Sequence, residues 1–377
     1  MKILMVSIPT LHFFRWANQL QDAGHEVYWF DITGMSQHVS KISWIQQKVD
    51  WKLKWDYPGR ILVKNKFPKL YKFIQQFNEK DTAKTFENYL NEIKPDVVHS
   101  FALYLSCSPI IEVMEKNPAQ KWIYSSWGSD LFYFQNEPAY LKDIKRVLPR
   151  INYLFTDCLR DYEIAKQYGF SGEFLGVFPG GGGFELNEME TYKLPISQRK
   201  TILIKGFQGR SGRAIPVLKA ITTLKEQLLN YEIVVFGSDP QTFEYVTNSE
   251  LKKWKNFQIL GKILHEEVLK LMGKSLICIG NSNSDGMPNT MLEAIFMGAF
   301  PIQSNPGGAT AELIQNGVNG LLIEDCEDEQ KIKEIVNRAL NNCNFDNAES
   351  LNQIKIVPKL HYIKVKNEVI SIYKKLN

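Results

Sequence analysis

The run Ser284-Asp285-Gly286-Met287-Pro288-Asn289-Thr290-Met291-Leu292-Glu293-Ala294 gathers several groups that could do chemistry within a few turns of chain. Pro288 suits the first turn of a helix, where its missing N–H would be unpaired in any case. The backbone amides of Asn289 and Thr290 are then expected to point out of the helix start, beside the positive end of its dipole. Together they make an anion site worth about 0.3 to 2 kcal/mol per charge. Glu293 follows on the same helix face, one turn deeper. A carboxylate just behind an anion site is favourable where its partner supplies donors, as sugar hydroxyls do. A phosphate at the helix start, a ribose at Glu293 and a sugar at Asp285 would meet all these needs, and the combination points to a nucleotide sugar. The plainer alternative is that Asp285 caps the helix and Glu293 meets a surface lysine.

A second candidate is the loop "GFQGRSGRAIPVLKAI", which begins at Gly206. Gly206, Gly209 and Gly212 permit tight turns and close approach, while Arg210 and Arg213 offer forked donors that match phosphate oxygens. The spacing fits neither the dinucleotide fingerprint nor a Walker A loop, and a solvated loop would read the same way. The chain contains no D-x-D pair, so a magnesium-bridged diphosphate lacks its usual carboxylates. Arginines and helix amides are expected to take that charge, with no metal site and no cofactor.

These residues need elements to hold them. Short β-branched and apolar runs alternate with amphipathic helical segments, the pattern of parallel sheets wrapped by helices. The first half supplies "KILMVS", "EVYWF", "DVVHSF", "KWIYSS", "NYLFT" and "EFLGVF"; the second supplies "TILIK", "EIVVF", "LICIG", "FPIQS" and "GLLI". The polar stretch "ELNEMETYKLPISQRK" separates them. The expected architecture is α/β, with two Rossmann-like doubly wound domains at residues 1–195 and 196–355. Residues 356–377 form a closing amphipathic helix expected to pack back toward the first domain. Ligands of such sheets sit beyond the carboxyl ends of the strands, which is where both candidate loops fall.

A length of 377 residues suits two cores, and 44% hydrophobic with 23% charged residues is an ordinary soluble composition. The net charge of +4 is too mild to indicate nucleic acid. Five scattered cysteines with no CxxC pair argue against a disulfide framework or zinc. The opening "MKILMVSIP" is shorter than a signal-peptide core, and no apolar run approaches a bilayer span, so a cytoplasmic location is expected. Residues 44–77 mix Trp44, Trp51, Trp55, Tyr57, Phe67, Tyr71 and Phe73 with eight Lys or Arg against two Asp. That mixture suits peripheral attachment to an anionic membrane surface. It equally suits an insertion whose aromatics pack on the sheet and whose lysines are solvated.

The second half resembles the retaining family 4 of the GT-B glycosyltransferases, the glycosyl transferases group 1. That family carries two acids separated by seven residues, running into "LEAMA.G.PV", a Gly-Gly turn and "E.I..G.NG.L". Here Asp285 and Glu293 have that spacing, followed by "LEAIFMGAFPI", "NPGGATAELI" and "NGVNGLLI". Weaker similarity extends to "GHEV", "KPDVVHS" and "SSWGSDL" in the first half.

The resemblance implies two domains facing across a cleft, with an acceptor side in the first and a donor side in the second. It implies transfer of a sugar from a nucleoside diphosphate, UDP or GDP, to an acceptor hydroxyl with retention, in cell-surface polysaccharide or glycolipid assembly. Asp285 would contact the donor sugar and Glu293 the ribose. Arg210 and Arg213 would take the diphosphate, with Lys205 a competing candidate, and Gly206, Gly286, Met287, Asn289 and Thr290 would complete the donor site. The acceptor would be a saccharide or lipid-linked saccharide. Trp127 stands where many members have His in an "HG.D" run ending at Asp130. His12 and Arg15 occupy the loop that usually carries a Gly-Gly pair, where they would serve the acceptor or the diphosphate or else form a packed aromatic loop, and these four are candidates for the acceptor or the cleft. Two other readings on the same architecture are a sugar-nucleotide 2-epimerase and a non-catalytic homologue that binds nucleotide sugar.

Overall fold

The computed structural model describes residues 1–185 and 190–376, so residues 186–189 of the expected linker lie outside the described residues. The chain divides into two compact units, each built on a parallel sheet. The first comprises residues 1–156 and 162–177 with the end of the chain from Glu368. The second comprises residues 157–161 and 178–367.

In the first unit the strands are β1 (Lys2–Ser7), β2 (Glu26–Asp31), β3 (Gln46–Lys48), β4 (Val97–Phe101), β5 (Lys121–Ser125), β6 (Tyr153–Thr156) and β7 (Glu173–Val177). They are ordered β3-β2-β1-β4-β5-β6-β7. In the second unit they are β8 (Thr201–Lys205), β9 (Glu232–Phe236), β10 (Phe257–Ile259), β11 (Ser275–Gly280), β12 (Phe300–Ser304) and β13 (Leu321–Ile323), ordered β10-β9-β8-β11-β12-β13. Every neighbouring pair is parallel, with β8 in register against β9 from Thr201↔Glu232 to Lys205↔Phe236. Helices cover both faces, so the central strands read as continuous apolar runs. The order reverses beside the first strand of each unit, and such a switch point opens a crevice at the carboxyl ends. In the second unit the loops after β8 and β11 flank that point, and they are the two loops singled out above.

Sequence reading missed β3 and β10. Each is three residues long, lies at a sheet edge and carries polar residues, "QQK" and "FQI", so neither shows the apolar run that marks a buried strand.

Residues 44–57 pack on the first unit. Trp51 is buried against Phe30 with ring centroids 4.9 Å apart, and its Nε1 donates to the Asp31 carbonyl at 2.8 Å. Trp44 Nε1 donates to Asn18 Oδ1 at 2.8 Å. The closing helix, Tyr362–Lys375, belongs to the first unit from Glu368 onward. Its Tyr373 is fully buried there, with its hydroxyl 2.5 Å from His99 Nδ1 and accepting from Trp16 Nε1 at 3.3 Å.

Candidate functional site

The helix behind the acidic motif runs Asn289–Phe296, one residue later than expected, because Pro288 has a non-helical ψ of 115° and is the N-cap. Its carbonyl accepts from Met291 and Leu292 at 3.0 and 3.1 Å. The N-cap is Pro288, which offers no side-chain cap, and not Asp285. The side chain of Asp285 instead accepts its neighbour's amide, Gly286 N–H, at 3.1 Å. A helix start carries a partial positive charge that favours an anion.

A pocket lies at this helix start, lined by Lys205 from the end of β8, Ser211 and Gly212 from the glycine loop, Asn281, Ser282 and Asp285 from the loop after β11, and Pro288 and Thr290. A cation, a carboxylate and a helix N-terminus thus meet at the switch point of the second sheet. Burial pushes the nearby Cys278 thiol up to about 12, so it stays protonated and is no nucleophile.

Glu293 is only 8% exposed, one turn behind the pocket. Its Oε1 lies 2.7 Å from His265 Nε2, the first residue of the helix His265–Lys274. This contact is with a histidine. Nothing in the local pattern announced His265, which sits 28 residues away in sequence.

The glycine loop is held from several sides. Gln208 N–H donates to Asp239 Oδ2 at 2.7 Å, and the same carboxylate caps the helix Pro240–Asn248 through Thr242 N–H at 2.9 Å. Asn283 N–H donates to the Ser211 carbonyl at 2.9 Å, which ties this loop to the acidic one. Gly212 must be glycine, since a Cβ there would lie 2.2 Å from the Phe207 carbonyl oxygen.

The basic candidates separate. Lys205 faces the pocket. Arg213 turns into the loop, donating to the Gly209 and Gly212 carbonyls at 2.8 and 2.7 Å and pairing with Glu327. Arg210 is exposed. Gly206 gives its amide to the Phe236 carbonyl at 2.8 Å, so that amide does not face a ligand. Met287 is buried in an apolar cluster with Phe184 and Leu292.

Support for the acidic loop comes from Arg160, which sequence reading passed over. Its guanidinium, 8% exposed, pairs with the fully buried Asp161 at 2.7 Å and donates to the carbonyls of Asp285 at 2.8 Å and Pro306 at 2.6 Å. Glu312 accepts the amides of Leu159 and Arg160 at 2.7 and 2.9 Å. Gly286 packs directly on Asp157, where a Cβ would lie 2.2 Å from Oδ1. Asp157, Cys158 and Asp161 place ligand-type atoms within 4.8 Å of one another, but Arg160 already meets the charge of Asp161.

In the first unit, His12 and Trp127 are neighbours with ring centroids 6.1 Å apart, and Arg15 lies on the same helix as His12, Leu11–Asn18. Asp130 is 2% exposed. It accepts from Tyr124 OH at 2.6 Å, Leu103 N–H at 2.8 Å and Trp127 N–H at 2.8 Å, and so fixes the loops after β4 and β5. Ala102, at the end of β4, has a φ of 62°, a strained conformation for a residue with a Cβ and of the kind that gathers at functional loops.

Residues 196–355 match the model of the family described as glycosyl transferases group 1. Over 211 residues the chain is 26% identical to the GalNAc-alpha-(1->4)-GalNAc-alpha-(1->3)-diNAcBac-PP-undecaprenol alpha-1,4-N-acetyl-D-galactosaminyltransferase of Campylobacter jejuni. That match covers 55% of this chain and 57% of the relative, little more than half of its length. Sucrose-phosphate synthase from Thermosynechococcus elongatus superimposes with a TM-score of 0.71 at 15% identity, covering 100% of this chain and 99% of the other. Anabaena HepE in complex with UDP-glucose gives a TM-score of 0.66 at 13% identity, with 100% and 99% covered. Residues 196–355 are thus similar to the glycosyl transferases group 1, and both units have the parallel-sheet α/β build of these GT-B neighbours.

Proposed function

We propose that this protein is a glycosyltransferase that moves a sugar from a nucleoside diphosphate, UDP before GDP, to an acceptor hydroxyl. The observation that carries the reading is the pocket at the start of helix Asn289–Phe296, lined by Lys205 and Asp285, with Glu293 buried one turn behind. In this reading the diphosphate rests on the Asn289 and Thr290 amides and on Lys205, Glu293 takes the ribose hydroxyls, and Asp285 holds the sugar. Charge develops on the departing diphosphate and on an oxocarbenium-like sugar. Fixed donors at the first lower the barrier by electrostatic preorganisation, without a metal ion.

Retention and membership of family 4 follow from the resemblance of the acidic motif. In that scheme the departing phosphate oxygen takes the acceptor's proton on the sugar face it leaves. UDP is favoured because solved structures with this fold hold UDP or UDP-glucose. The Campylobacter relative, named for an undecaprenol-linked glycan, supports a lipid-linked saccharide acceptor, a role in surface glycan assembly and work at the cytoplasmic face of a membrane. Among the described residues no helix is long and apolar enough to cross one.

The test is a thermal-shift panel of UDP, GDP and ADP sugars on wild type and Glu293→Gln, followed by transfer assays with the nucleotide that binds. Ligand at a hundred times its dissociation constant stabilises by about 2.7 kcal/mol, and the variant should lose most of that shift. Equal shifts in both proteins would remove the ribose role of Glu293.

A further inference from the structure

Residues 60–78 form two helices, Arg60–Lys66 and Pro68–Asn78, and the second is built inside out. Leu70, Phe73 and Phe77 share one face by their spacing and are 50%, 59% and 61% exposed. The inward face is polar: Gln75 and Asn78 are buried. Gln75 Nε2 donates to Tyr71 OH at 2.9 Å, while Asn78 donates to the Trp55 carbonyl at 2.9 Å and accepts the Trp55 amide at 3.0 Å. The first helix has no buried residue, and Ile61, Leu62 and Phe67 stand 67%, 54% and 56% exposed. A helix that only served its own core would turn its apolar stripe inward. Six large apolar side chains crowded on one short segment mark an interaction surface.

The charge on this surface selects the partner. No acidic residue occurs from Tyr57 to Asn78, while Lys64, Lys66, Lys69 and Lys72 are all exposed. Arg60 is already paired with Asp56 at 2.7 Å. A second copy docking face to face would set like charges against each other. An anionic bilayer meets both demands, taking apolar side chains into its headgroup layer and offering phosphates to the lysines.

We propose that residues 60–77 dock the first unit on an anionic lipid surface, with Ile61, Leu62, Phe67, Leu70, Phe73 and Phe77 as the inserted side chains. Residues 44–57, whose Trp51 is buried, form the base of this surface and not the contact. The proposal does not depend on the donor site, and neither does its test.

The experiment is flotation of the full chain with vesicles of phosphatidylcholine alone, or with one-third phosphatidylglycerol, at low and high salt. Wild type should float with the anionic vesicles at low salt and be released by salt, as screening requires. Lys69→Gln with Lys72→Gln should weaken the partition about 30-fold, and Phe73→Ser with Phe77→Ser at least about tenfold. All four residues are exposed, and an unchanged urea-unfolding midpoint confirms that each variant is folded. Wild type left in the dense fraction, equal flotation with neutral vesicles, or variants that float like wild type would overturn the proposal. So would a dimer seen by light scattering that Phe73→Ser with Phe77→Ser dissolves, since a second copy would then be the occupant.

Discussion

Glu293 is a carboxylate kept 8% exposed in a helix whose Met291, Leu292, Ala294, Ile295 and Phe296 are all buried, and the contact that orients it is His265. An imidazole that fixes the rotamer of a binding carboxylate acts on donor affinity more than on the chemical step. His265→Ala should therefore raise the donor KM about five- to tenfold with kcat nearly unchanged; a fall in kcat at constant KM would place His265 elsewhere in the reaction. The basic residues divide along similar lines. Lys205 lines the pocket and Arg213 latches the glycine loop to Glu327. Lys205→Ala should lower kcat by about 10²- to 10³-fold, whereas Arg213→Ala should act first on stability. Steady-state kinetics beside urea unfolding of the two variants checks this, and equal kinetic losses without destabilisation would argue for a direct diphosphate role of both.

Three loops meet around Arg160, a single buried cation. Its fork joins Asp161 to the carbonyls that begin the acidic loop at Asp285 and the glycine turn at Pro306. Removing one side of a buried pair leaves the other charge in a poorly solvating place, at a cost of about 3 to 5 kcal/mol. Arg160→Ala should lose about that much in urea unfolding, and the Asp285 loop should become protease-sensitive. Arg160→Lys should recover only part, because one ammonium cannot reproduce a planar fork reaching three acceptors. Full recovery by lysine would show that charge alone matters.

The two units divide the work. The second carries the pocket, and the first carries the docking surface and a buried polar cluster of its own. His99 in β4 has Nδ1 on Tyr373 OH and Nε2 on Ser125 Oγ at 2.8 Å, and its ring stacks on Phe101 at 4.1 Å. Burial holds its pKa well below the ordinary value of 6.5, and His25 is lowered in the same direction by burial and by the N-terminus and Lys374. The unfolded chain takes up protons near pH 6.5 that the folded His99 refuses, so stability is fully present above that pH and falls as pH drops below it. The slope from one such group is about 1.4 kcal/mol per pH unit. Urea unfolding between pH 7 and 5 should show that slope in wild type and a shallower one in His99→Gln; identical slopes would mean that other groups govern acid sensitivity.

Much of this molecule is written locally. The bounds of β1, β8, β9 and β12 fall where the apolar runs of the sequence place them, since a strand covered on both faces is apolar along most of its length. The acidic motif likewise shows its proline, its amides and its carboxylate within ten residues. What pairs with those groups is not local. His265 and Arg160 reach Glu293 and Asp285 only because the chain doubles back, and no periodicity encodes which distant side chain arrives. The helix Pro68–Asn78 makes the same point in reverse. Its spacing of Leu70, Phe73 and Phe77 predicts an apolar stripe whichever way the helix is turned. Only the bonds of Asn78 to Trp55 and to the buried Gln75 decide that the stripe faces out, because burial is a property of the neighbours a helix finds and not of the helix.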